Sequence, residues 1–294
     1  MTPQKPQSTS SPTNVLARTP TRLIFVISAF FHYLGPAFAV ILFNSVPVLG
    51  VAWIRIASAA GIYCVWRRPW RMFKSPRTND VILLAMMGGV FASMNSVFYI
   101  AISKIPLATV GAIEFLAPVG LAAVGVRNMR NLGAFGTAMT GAYLLSAIQL
   151  PQQPIALILA FANCALFGCY IVLGHKLAQS GSSPGIDRIG ISMLFATLFI
   201  TPIGFSAGLT SFLNPTLLGA GIGVGLCSSV IAYALDQVAM SRLPRASFAL
   251  LLSILPATAT IVGVIVLGQI PDIQQLVGIG SIAIGVALHQ PSRE

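Results

Sequence analysis

The sequence predicts an all-α integral membrane protein whose ten transmembrane helices form two inverted five-helix repeats. Three observations predict this fold class. Only 8% of the 294 residues are charged, whereas 56% are hydrophobic. Apolar segments of about 20 residues, the length that crosses a bilayer as a helix, recur along the chain. Two stretches, 101–118 and 239–256, resemble each other without a gap.

The composition excludes several classes of protein. A soluble domain carries about 25% charged residues, so this chain could not cover a water-facing surface. The net charge of +11 does not indicate nucleic-acid binding, because the basic residues occur in short loops between apolar segments. The four cysteines lie inside apolar segments without the spacing of a metal site or a disulfide framework, and no cofactor is predicted.

Helices are predicted for the apolar segments because a segment in lipid must satisfy its own backbone polar groups. Residues 1–22 are rich in Pro, Ser, Thr and Gln and are predicted to form a disordered cytoplasmic tail. The first five-helix repeat is predicted over 23–150 and the second, inverted repeat over 151–294. The predicted helices cover 23–43, 48–66, 80–101, 108–126, 132–148, 155–174, 189–208, 217–240, 246–268 and 274–289.

Lysine and arginine lie almost entirely on one side of the predicted membrane. All but two of the 17 basic residues occur in the tail, after even-numbered segments or at the end of the chain. The exceptions are Lys104, in a loop on the opposite side, and Arg55, inside the second segment. Because loops rich in Lys and Arg stay in the cytoplasm, both termini are predicted to be cytoplasmic.

The internal repeat aligns AISKIPLATVGAIEFLAP (101–118) with AMSRLPRASFALLLSILP (239–256). The aligned pairs include Pro106 with Pro244, Pro118 with Pro256 and Lys104 with Arg242. The offset corresponds to five segments, an odd number, so the second half must enter the membrane from the other side. Inverted repeats are typical of secondary transporters, whose substrate site lies between the halves. Chance similarity of two apolar stretches is the alternative.

Glu114 lies inside the apolar segment 108–126, where a charge costs several kcal/mol. Its separation from Arg127, and that of Arg55 from Arg67, place both charges roughly 18–20 Å above the cytoplasmic boundary. Two interpretations remain open. The two side chains form an ion pair that locks the helices together, or Glu114 faces a cavity and binds a substrate ammonium group or carries a coupling proton. In the second interpretation Arg55 lies near a substrate carboxylate or keeps Glu114 ionised.

Neutral polar residues mark two further helix faces. Asn95 and Tyr99 share a face of the third segment, and Tyr233 and Gln237 share a face of the eighth. The repeat offset relates the two faces, so we expect them to line a central cavity. Hydrogen bonding between helices is the alternative. Weaker candidates for the same cavity are Ser229, Tyr170 and Asn163.

Asp236, Pro118 and Pro256 are candidates for gating or coupling. Asp236 is six residues before Arg242, which predicts a position near the inner mouth. It is expected to be either a solvated or capping carboxylate or part of an inner gate. Pro118 and Pro256 should kink their helices, either as hinges for alternating access or as static bends.

The absence of catalytic motifs argues against an enzyme. The sequence has no Walker A loop, HExxH motif or GxSxG motif, and its three histidines form no cluster. We therefore expect neither ATP-driven transport by this chain nor intramembrane catalysis.

Three stretches resemble the EamA-type members of the drug/metabolite transporter superfamily. They are WIRIASAAGIYCVWRRPWRMF (53–73), SMNSVFYIAISKIPLATVGAIEFLAPVGLA (93–122) and SSVIAYALDQVAMSRLPRASFALL (228–251). The resemblance implies that the membrane carboxylates of the family match Glu114 and Asp236.

The resemblance also implies a function. It indicates a secondary active transporter of the bacterial plasma (inner) membrane that exports threonine- or homoserine-like amino acids or related metabolites, by alternating access and with proton coupling. The alternatives are export of another metabolite or drug class and a passive facilitator or channel. The implied partners are a small-molecule substrate, protons and the lipid bilayer, and nucleic acid is not among them. The implied oligomeric state is a monomer or a homodimer. Leu255 and Gln269 depart from these exporters, which carry glutamate at both positions.

Overall fold

The computed structural model describes residues 20–74, 78–118, 120, 129–149, 152–179, 185–243, 248 and 254–288. The described residues form helices joined by short turns, and no β-strand occurs among them, which confirms the all-α prediction. Residues 1–19 of the predicted tail, residues 121–126 of the predicted fourth helix and most of 244–253 lie outside the described residues.

The described helices overlap the predicted segments, but within the described residues the helix at 107–114 covers only the first part of the predicted 108–126 and the helix at 254–267 only the later part of the predicted 246–268. Helix α8 includes a π-helical turn at Leu226–Ile231, and 3₁₀ turns follow α2 and α7. The helices are α1 (Thr21–Leu42), α2 (Val48–Arg67), α3 (Thr78–Ile102), α4 (Leu107–Glu114), α5 (Met129–Gln149), α6 (Pro154–Gln179), α7 (Gly185–Gly208), α8 (Pro215–Arg242), α9 (Ile254–Leu267) and α10 (Ile273–Leu288).

Six of these helices are long and apolar enough to cross a membrane, namely α1, α2, α3, α6, α7 and α8. Within the described residues, the apolar stretches of α4, α5, α9 and α10 are shorter, at 10–17 residues. Large apolar side chains cover much of the outer surface, including Leu213 at 89% exposure and Val65 at 82%. A surface of this kind suits lipid, and the protein is a multi-pass membrane protein.

Proline determines where several helices begin. Pro20, Pro47 and Pro106 occupy the residue before α1, α2 and α4, where the missing N–H costs no intrahelical hydrogen bond. Asn214 caps α8, because its side-chain oxygen accepts a hydrogen bond from the backbone N–H of Thr216 at 3.0 Å. Proline and asparagine thus mark where these four helices begin.

Helices separated by five in the chain also pack in opposite directions. At one end of the contact between α2 and α7, Arg67 pairs with Asp187 at 2.5 Å. At the other end Gly50 lies against the backbone of Ala207. Because an early residue of α2 meets a late residue of α7, and the reverse, the two helices are antiparallel.

The pairs α4 with α9 and α5 with α10 have the same antiparallel arrangement. The backbone N–H of Leu107, which begins α4, donates to Gln269 Oε1 at 3.1 Å, just beyond the end of α9. Gly285, late in α10, lies against Ala134, early in α5. Gln269 therefore holds the start of α4, at a position where the related exporters are expected to carry glutamate.

The contact at Gly50 leads to a stability prediction. Gly50→Ala should lower the melting temperature of the detergent-solubilised protein, because the new Cβ would lie 2.6 Å from the carbonyl oxygen of Ala207. Overpacking of this kind costs about 1–3 kcal/mol. Gly61→Ala is the matched control on the same helix. Its Cβ meets no atom within 4 Å, and alanine is about 0.5–1 kcal/mol more favourable than glycine inside a helix. Equal melting temperatures for the two variants would contradict the close packing of α2 on α7.

Candidate functional site

A small cavity lies among α1, α2, α3, α4, α6 and α8. The space in it that water can occupy is about 10 Å³, enough for about one water molecule. Four of the predicted substrate-binding residues, Glu114, Arg55, Asn95 and Tyr233, line it. The complete lining is His32, Pro36, Arg55, Met94, Asn95, Phe98, Glu114, Asn163 and Tyr233.

The Glu114 carboxylate is held by two neutral donors. Its side chain is only 3% exposed. Oε2 accepts a hydrogen bond from the Tyr33 hydroxyl at 3.1 Å, and Oε1 accepts one from Asn163 Nδ2 at 3.0 Å. Hydrogen bonds to a charged group contribute about 1.5–3 kcal/mol each and offset part of the cost of burial. Helices α1 and α6 thus meet the carboxylate from two sides.

Pro118 explains why regular helix α4 ends at Glu114. A proline at position 118 supplies no N–H for the carbonyl oxygen of Glu114, and its ring collides with that carbonyl. Regular α-helix stops at Glu114, Phe115 forms a turn, and helical conformation resumes over 116–118. The regular helix is therefore interrupted at the carboxylate, four residues before Pro118. Pro256 falls in the first turn of α9.

Arg55 does not pair directly with Glu114. No ion pair joins the two side chains in the described part of the chain. Arg55 Nε donates to Ser229 Oγ at 2.8 Å and Nη2 donates to the carbonyl of Ser228 at 3.3 Å, while the guanidinium lies 5.2 Å from the centroid of the Tyr99 ring. The expected lock between the second and fourth helices is therefore wrong, although both charges line one cavity.

The π turn of α8 creates the acceptors that bind Arg55. A π turn shifts the backbone out of the i→i−4 pattern and leaves carbonyl groups available for other donors. The Tyr63 hydroxyl, also on α2, lies 3.3 Å from the Ser229 carbonyl and 3.1 Å from the Val230 carbonyl. Two side chains of α2 thus satisfy the irregular segment of α8 and fix Arg55 beside the cavity.

The neutral polar residues have different roles. Asn95 lines the cavity and donates to the carbonyl of Phe91 at 2.7 Å. Tyr233 lines it as well, and its buried hydroxyl has no hydrogen-bond partner among the described residues. Tyr99 is fully buried but does not line the cavity; its ring packs against Arg55 and Phe43. Tyr233 therefore offers an unused polar group.

Sequence reasoning missed two residues of α1. His32 lines the cavity, and its ring lies 5.7 Å from that of Tyr233 and 6.2 Å from that of Phe167. Tyr33, the next residue, binds Glu114. The only signal in the sequence is a His-Tyr pair inside an apolar segment, four residues before Pro36.

Asp236 is a second buried carboxylate, 5% exposed. Oδ1 accepts from Ser28 Oγ at 2.5 Å, and Oδ2 accepts from the Tyr170 hydroxyl at 2.8 Å. The interpretation as a solvated or capping carboxylate is wrong, because α1 and α6 cover the side chain. Like Glu114, Asp236 accepts one hydrogen bond from α1 and one from α6.

The order of these contacts shows that α1 and α6 run in opposite directions. Glu114 binds the later residue of α1 and the earlier residue of α6, Tyr33 and Asn163. Asp236 binds the earlier residue of α1 and the later residue of α6, Ser28 and Tyr170. Among the described residues, no group of three or more His, Cys, Asp or Glu side chains could hold a metal ion.

Comparison with known proteins agrees with this architecture. Residues 154–289 match the EamA-like transporter family. The chain is 28% identical over 253 residues to the threonine/homoserine exporter RhtA of Escherichia coli (strain K12), covering 84% of this chain and 83% of that protein. It is 28% identical over 240 residues to RhtA of Salmonella typhimurium (strain LT2), covering 80% and 79%.

A solved structure shares the fold. A protein known from its crystal structure superposes with a TM-score of 0.59 at 16% identity, covering 92% of this chain and 96% of that one. The resemblance predicted from three stretches of sequence is confirmed, and the relatives are transporters rather than enzymes. The chain is a multi-pass membrane protein whose residues 154–289 are similar to the EamA-like transporter family.

Proposed function

We propose that this protein is a secondary active exporter of small zwitterionic amino acids, of the threonine or homoserine type, in the inner membrane of a bacterium. The observation that carries this proposal is the placement of Glu114 and Arg55 on one cavity without direct contact. The related exporters act on threonine and homoserine. The two alternatives to this proposal are export of a different metabolite and passive facilitation.

The two charges match the two ends of an amino acid. The substrate ammonium pairs with the Glu114 carboxylate, and the substrate carboxylate meets the Arg55 guanidinium, whose planar fork suits a carboxylate. Because no ion pair already joins the two side chains, a zwitterion can take a place between them. The unpartnered Tyr233 hydroxyl is available to a hydroxyl-bearing substrate side chain.

The cavity is closed in this structure. It holds about one water molecule and is therefore too small for any amino acid. Substrate can therefore enter only when helices of the two halves separate on one side of the membrane. Alternation of that opening between the two sides is the mechanism we assign to the protein.

Two inverted five-helix repeats, each helix crossing the membrane, support such alternation. The contacting pairs α2 and α7, α4 and α9, and α5 and α10 are antiparallel, and α1 and α6 approach the two buried carboxylates in opposite directions, as inversion requires. Each pair joins one helix of the first half to its counterpart in the second. The site then lies where the halves meet, and both termini face the cytoplasm.

Asp236 is the group we assign to proton coupling. Its oxygens accept from two neutral hydroxyl groups, on Ser28 and Tyr170, and it has no ion pair among the described residues. A buried carboxylate without a cation is costly in its charged form, which favours uptake of a proton. Glu114, in contrast, shares its cavity with Arg55 and remains available to the substrate ammonium.

Glu114→Gln should abolish most substrate exchange. The amide retains the size of the side chain and an oxygen for Tyr33 or Asn163, but it loses the charge that attracts an ammonium group. We expect counterflow of labelled threonine or homoserine in proteoliposomes to fall at least about tenfold, the effect of roughly 1.4 kcal/mol. Asp80→Asn, in the first turn of α3, is the charge-matched control. Normal counterflow in the Glu114 variant would refute its role in substrate binding.

Asp236→Asn should abolish proton coupling while substrate exchange continues. Substrate exchange at equal pH should remain within about twofold of the unmodified protein, whereas uphill transport driven by a pH gradient should disappear, since each step of 1.4 kcal/mol corresponds to tenfold accumulation. Both assays use the same proteoliposomes. If the variant still shows uphill transport, Asp236 is not the coupling group. If the unmodified protein shows no uphill transport, the protein is a passive facilitator.

The inversion predicts opposite exposure for two aligned residues. Lys104 and Arg242 are both exposed and occupy equivalent positions in the repeat. In a chain whose four native cysteines are replaced by serine, Lys104→Cys should react with an impermeant maleimide in right-side-out vesicles and Arg242→Cys only in inside-out vesicles. Labelling of both from the same side would contradict the inverted topology.

A further inference from the structure

An open basic pocket lies at the end of α2, far along the chain from the substrate cavity residues of that helix. It has a volume of about 470 Å³, and its wall is largely polar. The 3₁₀ turn Pro69–Lys74 and the start of α7 border it. Its lining consists of Trp66, Arg67, Arg68, Pro69, Arg71 and Asp187.

The pocket has an excess of positive charge. Arg67 is neutralised by Asp187 at 2.5 Å. Arg68 and Arg71 are exposed, and neither forms an ion pair with a carboxylate of the described residues. Arg68 has a φ of 50°, a left-handed conformation that residues other than glycine adopt rarely. This conformation ends α2, and the turn that follows brings Arg71 to the same pocket as Arg68.

An apolar groove adjoins the basic pocket. It has a volume of about 420 Å³ and lies along α2 opposite Ile222 of α8. Trp66 lines both the groove and the basic pocket. The other α2 residues of the groove are Ser58, Gly61, Ile62 and Val65, whose spacing of three and four places them on one helix face.

The two features lie at different depths in the bilayer. Helix α2 has 20 residues and is about 30 Å long, which matches the hydrocarbon thickness. Its last residues therefore lie at the level of the lipid headgroups, where Trp66 and Trp70 are half-exposed, as aromatic residues are at a membrane interface. The groove extends from there into the hydrocarbon region.

We propose that the pocket and the groove together bind one phospholipid with an anionic headgroup. The phosphate lies against Arg68 and Arg71, and one acyl chain occupies the groove beside Gly61. Basic pockets at this level of a helix bundle suit anionic headgroups. A free anion would account for the arginines but would leave the adjoining apolar groove empty, so the groove argues for a lipid. The site does not depend on the identity of the transported substrate.

Native mass spectrometry of the purified full-length protein tests the proposal. The protein is titrated with dioleoyl phosphatidylglycerol, with dioleoyl phosphatidylcholine and with inorganic phosphate. Arg68→Gln combined with Arg71→Gln removes the charges, and Gly61→Phe fills the groove, since no atom lies within 4 Å of a Cβ at this glycine. Lys104→Gln is the control for charge and Gly61→Ala the control for the backbone.

The expected result is preferential binding of phosphatidylglycerol over phosphatidylcholine by the unmodified protein. Its affinity should fall about tenfold or more in the arginine pair variant, as expected for two cationic contacts, and by a similar factor in Gly61→Phe, with both controls unchanged. Binding of phosphate as tight as that of phosphatidylglycerol, unaffected by Gly61→Phe, would show a free-anion site and overturn the proposal. Equal binding of the two lipids, or unchanged affinity in the arginine pair variant, would also overturn it. A melting curve checks folding of each variant, and if Gly61→Phe does not fold, the arginine pair and the phosphate titration decide.

Discussion

A charged side chain inside a bilayer must receive its polar partners from the protein, because the lipid supplies none. This constraint determines how the central helices are arranged. Glu114 receives donors from α1 and α6, Asp236 receives donors from the same two helices, and Arg55 finds its acceptors on the π turn of α8. The buried charges thus select which helices lie in the centre of the bundle, while the apolar surface only requires that all of them contact lipid or one another.

Local breaks in regular helix supply what a regular helix cannot. A helix in the membrane uses all its backbone hydrogen bonds internally, apart from those at its ends. Pro118 ends the regular part of α4 at Glu114, and the π turn of α8 presents the carbonyls of Ser228 and Val230 to donors of α2. The irregular segments therefore lie at Glu114 and at the acceptors of Arg55, whereas Asp236 lies in regular helix. The donors of α2 compensate the π turn, so that this irregularity does not leave its acceptors unsatisfied.

Much of the fold could be predicted from the sequence, and less of the site. The length of the apolar segments and the prolines at their starts indicate the helices. A single charged residue inside an apolar segment identifies Glu114 and Arg55. Equal depth suggested that these two charges pair, but depth fixes only one coordinate, and the direction in which each helix turns its side chain depends on packing. The burial of Asp236 was missed for the same reason, because the distance from Arg242 along the helix does not show that α1 and α6 cover this side chain.

Single polar residues of α1 were missed for a related reason. Ser28, His32 and Tyr33 are isolated polar residues. Such residues occur in many membrane helices, where they only form hydrogen bonds between helices. Their role arises only because α1 meets α6 in the opposite direction at the two carboxylates. Tyr99 is the converse case: it was predicted to line the cavity, but its ring packs against Arg55 and does not line the cavity.

The opposite order of the contacts on α1 and α6 has a mechanical consequence. One helix pair grips Glu114 through Tyr33 and Asn163 and grips Asp236 through Ser28 and Tyr170, at two levels of the bundle. A tilt of α1 against α6 about a point between the levels lengthens the contacts at one carboxylate and shortens those at the other. Whatever ligand stabilises one grip thereby weakens the other, and by thermodynamic reciprocity the effect is equal in both directions. Antagonism between the two carboxylates would follow from such a tilt alone and would need no separate relay of side chains.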